Sequence, residues 1–366
     1  MLHTLRNRHA HSVTAGTKKG LFIFTSDDRR AWRMRGPFLP GKEINHAIYD
    51  PRTKQIFATA NDAWFGCEIM RSNDFGETWT GAELNPAFAE NSGLKLERLW
   101  HLEAGLTSEP NVLYAGVAPA ALFRTENGGA TWREVAGLTA HPSRPHWHPG
   151  AGGLCLHSIV VDERQPRRLF VAISAVGVFR SEDNGATWVT ANRGTRAEFV
   201  PGEDKYPEQG QCVHKLLLSA DGKNLFQQNH CGVYRSVDGG VSWTEITKGL
   251  PSDFGFPLAL HPRDPKTLYV LPLKGGEFRC PPENKLRVFR SRDAGTTWEA
   301  LSKGLPEGES FCSSYREGMA SDTGTPAGIY FGTNTGKLFS TTDEGDSWQL
   351  VADNLPPIYS VATGSA

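Results

Sequence analysis

Four histidines stand at the start of short apolar runs: INHAIYD carries His46, WHLEAG His101, LHSIVVD His157 and VHKLLLS His214. Counted back from the turn after each run, His101, His157 and His214 fall five residues before Leu106, Asp162 and Ser219. His46 is out by one, which leaves Asn45 as its alternative, and later runs put Phe256, Arg316-Glu317 and Tyr359 at this place. Polar rings aimed into a channel need water or a cation as partner, and imidazoles suit a divalent transition metal such as Zn, Fe or Cu. His230, in QQNHCGVYRS, completes a candidate metal set of His46, His101, His157, His214 and His230. Cys155 and Cys212 lie two residues before His157 and His214, on the same strand face, and Cys231 adjoins His230. A softer His/Cys set for Cu or Zn is therefore open, beside the plainer reading of the cysteines as apolar filler. Glu103, Glu317, Arg316 and Tyr359 are the candidate catalytic groups. The carboxylates could be ligands, acceptors orienting an imidazole, or proton shuttles.

The elements that must hold these residues announce themselves as a repeat. The pattern Arg-Ser/Thr-x-Asp-x-Gly-x-Thr/Ser-Trp recurs as RSNDFGETW from Arg71, RTENGGATW from Arg124, RSEDNGATW from Arg180, RSVDGGVSW from Arg235, RSRDAGTTW from Arg290 and STTDEGDSW from Ser340. A worn copy, TSDDRRAW, begins at Thr25 and keeps Asp27. The seven tryptophans, from Trp32 to Trp348, stand 47 to 56 residues apart, the length of one propeller blade. Where the pattern is complete, Asp accepts hydrogen bonds from a tight turn, Gly supplies its φ, and Trp pins the hairpin on the layer beneath; the copy from Arg124 has Asn127 at the Asp position and the worn copy has Arg29 where Gly is expected. These aspartates are expected to be structural.

The motif resembles the Asp-box, or bacterial neuraminidase, repeat, over nearly the whole chain. That resemblance implies an all-β, seven-bladed β-propeller of four-stranded antiparallel blades. Within one unit the strands read Leu156–Asp162, Arg168–Ser174, Gly177–Ser181 and Trp188–Asn192, here A to D from channel to rim. The chain begins at a would-be strand B, Ser12–Thr17, and ends in an A-like strand, Ile358–Thr363, which is expected to complete that blade and close the ring. Residues 1–11 read as a flexible N-terminus and 12–366 as one propeller. This order puts A-strand starts, B–C loops and D–A connections on one face, with A–B loops and box turns on the other. His230 and Asn61-Asp62 share the first face, as do the long connections His141–Gly153 and Arg193–Gln211, readable as lids or as surface decoration.

Composition narrows the partners. The 366 residues carry 39 Lys+Arg against 40 Asp+Glu, a net charge of −1, so no field recruits nucleic acid or anionic membrane. No apolar run approaches the ~20 residues that span a bilayer, and the first residues lack the apolar core of a secretory signal. A cytoplasmic protein with its six cysteines as thiols is the expectation; the oligomeric state is left open.

The leading expectation is a metal-dependent enzyme acting on a small organic substrate at the channel mouth, by oxidation or hydrolysis. Its four-histidine arrangement resembles the iron centre of carotenoid-cleaving oxygenases, which lack this repeat. The alternative is a glycoside hydrolase using channel carboxylates. Similarity to sialidases implies an Arg triad, a Tyr–Glu nucleophile pair and an Arg-Ile-Pro motif. Arg316, Glu317 and Tyr359 could fill part of this, but Arg-Ile-Pro is absent, histidines replace the arginines, and sialidase propellers have six blades. A non-catalytic binding or assembly scaffold, similar to photosystem assembly factors, is the third expectation.

Overall fold

The computed structural model describes residues 11–199 and 205–364. The expected flexible N-terminus, His11 apart, lies outside the described residues. Seven four-stranded antiparallel sheets form a ring, and among the described residues the α-helical content is one short stretch, Ala136–Thr139. Six blades, numbered in chain order, have inner strands Ala47–Asp50, Arg98–Ala104, Leu156–Val161, Val213–Leu218, Gly255–Leu260 and Met319–Ser321. The seventh is built from both ends of the chain. Ile358–Gly364 pairs with His11–Thr17, setting Ala15 opposite Val361, and the order continues through Gly20–Ser26 to Arg33–Phe38. Ile358–Gly364 also packs against the inner strands of blades 6 and 1. Closure therefore follows the sequence expectation, and it removes the open edge that a half-finished blade would expose.

Each blade is held by its repeated turn. In blade 1, Ser72 Oγ donates to Asp74 Oδ1 and accepts from the Gly76 amide. The Thr78 amide donates to Asp74 Oδ1, its hydroxyl to Oδ2 at 2.5 Å, and Trp79 Nε1 donates to the Gly76 carbonyl. The same bonds recur around Asp183, Asp238, Asp293 and Asp343. In the worn copy the acceptor is Asp28, reached by Ser26, Arg30 and Ala31. That turn is one residue shorter, so counting back from Trp32 points to Asp27 instead. Tryptophans of later blades also tie the ring together: Trp243 Nε1 donates to the Ala191 carbonyl and Trp298 Nε1 to that of Ile246, each in the preceding blade. Between blades the faces are dry, as where Phe57 and Ile69 of blade 1 meet Leu99, Leu113 and Phe123 of blade 2.

Candidate functional site

Strand pairing redraws the histidine column. Tyr49, Ala104, Val161 and Leu218 are equivalent, because each faces the strand-B residue that pairs with the first Ser or Thr of its box. His46, His101, Ser158 and Lys215 each lie three residues before that point. His157 and His214 lie four before it, with Asn45, Trp100 and Phe256. The turn after blade 2's inner strand is offset by one residue, so counting from the turns merged two columns. A register shift marks the second column in blades 2, 3 and 4, between Leu99 and His101, Leu156 and Ser158, and Val213 and Lys215. Such a bulge turns its extra side chain away from the ladder.

The expected convergence of four imidazoles on one point is therefore corrected: the rings divide among three places. His157 is buried between blades 3 and 4, its Nε2 2.9 Å from the Val213 carbonyl and its Nδ1 3.1 Å from Ser158 Oγ. His214 reaches the Gly255 carbonyl through Nδ1 at 2.5 Å and lies near Cys212 and His230. Burial, then the positive charge of Arg316, holds both rings well below the usual imidazole range, so both are neutral at pH 7.

His46 and His101 meet in the channel, stacked 4.3 Å apart. Around them stand Glu317, an expected candidate, and Lys215, which is not among the expected site residues. Lys215 Nζ pairs with Glu317 Oε2, His46 Nε2 is 3.5 Å from that oxygen, and His101 Nδ1 is 3.3 Å from Oε1. His101 Nε2 contacts Glu103 Oε2 at 3.3 Å. Burial opposes a charge on Glu317, yet Lys215 and His101 hold its carboxyl well below the carboxylate range. Burial also opposes a charge on His101, but Glu317 and Glu103 raise it above 6.5. His46 goes the other way, pushed to about 3 by burial and by His101. The cluster thus holds one buried carboxylate and one ammonium, and of its two imidazoles His101 is the one favoured for a further proton. His46, His101 and Glu317 have the spacing to hold a metal ion, but the Lys215 ammonium already supplies the cation there, and a dication would face it directly. Lys215 had a signal: a charged residue inside the apolar run VHKLLL is buried only with an opposite charge.

His46, His101, Lys215 and Glu317 line a channel pocket of about 410 Å³ together with Ile48, Glu103, Leu217 and Ser321. On the other side Arg316 lies over the Phe256 ring, 5.2 Å from its centroid, and reaches Ser174 of blade 3. Tyr359 packs edge-on to Tyr315, and burial pushes its phenol up to about 12. Among the described residues no hydrogen bond joins Tyr359 to Glu317, so the Tyr–Glu pair of the sialidase comparison is not assembled.

The opposite face, with the A-strand starts and B–C loops, is furnished differently. Every strongly exposed aromatic among the described residues lies there: Trp64, Phe65, Phe199, Tyr206, Phe278 and Phe311. Among the described residues, the large apolar side chains exposed at the box turns are aliphatic, Val237 and Val241. Trp64, 91% exposed, borders a cleft of about 440 Å³ with Lys18, Glu43, Asp62, Glu97 and Arg98. Asp62 Oδ1 accepts from the Trp64 and Phe65 amides, and Lys42 Nζ stands 3.1 Å from Oδ2, so the hydrogen bonds and then the cation lower its pKa. Arg98 pairs with Glu43 at 2.9 Å, and Glu97 has no ion pair among the described residues. Asn61-Asp62 marked this loop in the sequence, whereas Trp64 and Glu97 gave no periodic signal. The connection Arg144–His148 is not a lid: Trp147 is buried and donates to Ser143 Oγ beneath Arg144.

No family model matches the chain, so the Asp-box resemblance stands on the repeated turn itself. A protein named xyloglucanase from Paenibacillus sp is 29% identical over 263 residues, 64% of this chain and 23% of its own length. A second xyloglucanase, from Hypocrea jecorina (strain QM6a), is 27% identical over 253 residues, 64% of this chain and 29% of that protein. The chain thus spans about a quarter of the length of the curated relatives it matches. Among solved structures, a GH74 enzyme from Niastella koreensis superposes with a TM-score of 0.66 at 16% identity, covering 96% of this chain and 53% of that one. That likeness shows the fold.

Proposed function

We propose that this propeller acts on a polysaccharide, as a glycoside hydrolase or the part of one that grips a β-glucan chain of xyloglucan type. The observation that carries the reading is that, among the described residues, the strongly exposed aromatics share one face, where Trp64 borders a cleft lined by Asp62 and Glu97. Sugar rings stack on aromatic faces through their C–H groups, and a row of such platforms suits an extended polymer better than a small molecule. The xyloglucanases matched over 64% of the chain support the same substrate class. The metal-dependent small-molecule reading loses its basis, because the four imidazoles do not share a point.

Glycoside hydrolysis needs one carboxylic acid and one carboxylate. Asp62, fixed by two amides and Lys42, suits the ionised role. Glu97, which lines the same cleft and has no ion pair among the described residues, suits the acid. Glu97 would give its proton to the departing glycosidic oxygen while Asp62 takes one from the attacking water. The channel carboxylates are poorly placed for this work: Glu317 is locked by Lys215 and His101, and Glu103 faces the far side.

The test uses xyloglucan and cello-oligosaccharides. New reducing ends that vanish in Glu97→Gln and Asp62→Asn support hydrolysis at this cleft. Retardation in a xyloglucan gel without new reducing ends overturns the hydrolase and leaves a binding module. Neither signal, with any of these glycans, removes the carbohydrate reading and returns the scaffold alternative.

A further inference from the structure

We propose that Cys212, His214 and His230 form a three-ligand site for a thiophilic metal ion, zinc or cuprous copper, beside the channel of blade 4. One ligand atom from each lies within 4.8 Å of the other two, and Cys212 Sγ is 3.5 Å from His214 Nε2. Zinc–sulfur and zinc–nitrogen bonds of about 2.3 and 2.0 Å set a tetrahedral S···N edge of roughly 3.5 Å. The Cys212–His214 pair therefore already has the spacing of two metal ligands, and the half-buried His230 closes the remaining gap by a small ring movement.

The supporting groups are those a metal-bound imidazole requires. His214 donates its Nδ1 proton to the Gly255 carbonyl, which fixes the tautomer and leaves the Nε2 lone pair toward the sulfur. Phe254 and Phe256 pack on His214 at 5.2 and 4.6 Å, while Phe199 and Phe254 hold His230 at 4.7 and 4.9 Å. This dry wall strengthens ligation and keeps water from competing. A single thiolate among two imidazoles selects zinc or cuprous copper over harder ions. Three protein ligands leave one tetrahedral position for an exogenous ligand. Unlike the cluster at Glu317, this set has no lysine ammonium paired into it among the described residues; the cations acting on its rings are the Arg316 and Arg279 guanidiniums.

Cobalt(II) is the probe for the zinc arm. Protein made without a histidine tag, reduced and stripped with chelator, should bind one equivalent. It should show a thiolate-to-cobalt charge-transfer band in the near ultraviolet and intense tetrahedral bands in the visible, all erased by added zinc. Cys212→Ser should lose the charge-transfer band. His230→Ala, at a half-exposed position that unfolding does not threaten, should weaken cobalt binding at least tenfold with an unchanged thermal midpoint. A cuprous-chelator competition gives the copper arm, with the same dependence on both variants. No bands at one equivalent together with no withdrawal of copper from the chelator, or bands that persist in Cys212→Ser, overturns the site and leaves a thiol–imidazole hydrogen bond.

Discussion

His46 and His101, on neighbouring blades, lie face to face with ring centroids 4.3 Å apart and planes within 13°, yet their proton affinities move in opposite directions, that of His101 up and that of His46 down to about 3. The asymmetry has a plain origin. His101 sits between Glu317 and Glu103, whereas His46 accepts the Leu102 amide at Nδ1 and faces a carboxylate that Lys215 has already neutralised. Two stacked imidazoliums would repel in a site with little water, so a charge on one ring disfavours a charge on the other.

Lys215 should therefore be worth more to the ring than any histidine in it. In Lys215→Met, Glu317 is left as an uncompensated buried charge, which costs about 3–5 kcal/mol. The double variant Lys215→Met/Glu317→Gln removes both charges and should recover most of the loss. Urea unfolding of the three proteins measures this; a double variant no better than the single would show that packing, not charge, sets the cost.

Acid should weaken the fold before it touches the carboxylates. His46 is held at about 3, and His157 and His214 well below 6.5, so as pH falls below 6.5 the unfolded chain gains protons that the native ring refuses. With all three rings neutral, that amounts to about 4 kcal/mol per pH unit. His101 has the opposite sign: its contribution is complete below 6.5 and fades as pH rises through its raised value. Stability should thus peak near neutrality and fall on both sides. Unfolding midpoints across pH 4.5 to 8.5 test the shape, and His46→Gln should flatten the acid limb by about a third.

The ring was legible in the sequence because its signal is local. Asp74 bonds residues at most four positions away, so the turn's chemistry is written in nine consecutive letters and repeats. The site was legible only in part, because it depends on register between strands. One residue of difference in the turns moved His101 from the column of His157 to that of His46, and a bulge of one residue turned His157 and His214 out of the channel. Lys215 and Glu317 are 102 residues apart in the chain, and no spacing rule joins them.

The box turns should carry stability without activity. Asp74→Ala removes three short-range acceptor bonds at an exposed turn and should cost about 1 kcal/mol. Gly76→Ala should cost more, about 2 kcal/mol, since its φ is +95° and a Cβ there would stand 2.9 Å from Ile23 Cδ1 of the neighbouring blade. Thermal unfolding ranks the two. Any loss of glycan binding beyond the loss of folded protein would give these turns a role on the opposite face.

Trp64 should do the reverse. It is 91% exposed, so Trp64→Ala should leave the thermal midpoint within about 1 °C, because surface changes away from special features stay within ±0.5 kcal/mol. If the ring stacks on a sugar, affinity for xyloglucan should fall about tenfold, the worth of one aromatic platform at about 1.4 kcal/mol. Affinity electrophoresis with Trp64→Phe as the conservative control reads this directly, and equal retardation of all three proteins would move the binding surface elsewhere.

His157 gives the sharpest contrast between structure and chemistry. Its Nε2 meets the Val213 carbonyl of the next blade at 2.9 Å, so the ring acts as a staple between inner strands. His157→Phe keeps most of the buried volume but leaves that carbonyl without its donor, a cost of about 1–3 kcal/mol. His157→Ala adds a cavity and should approach about 3 kcal/mol or more. Neither change touches Cys212, His214 or His230 directly, so cobalt binding should survive in whatever protein remains folded. Loss of cobalt from His157→Phe at full native content would return this ring to the metal set, and would mean that the bulge in blade 3 yields enough to bring it there.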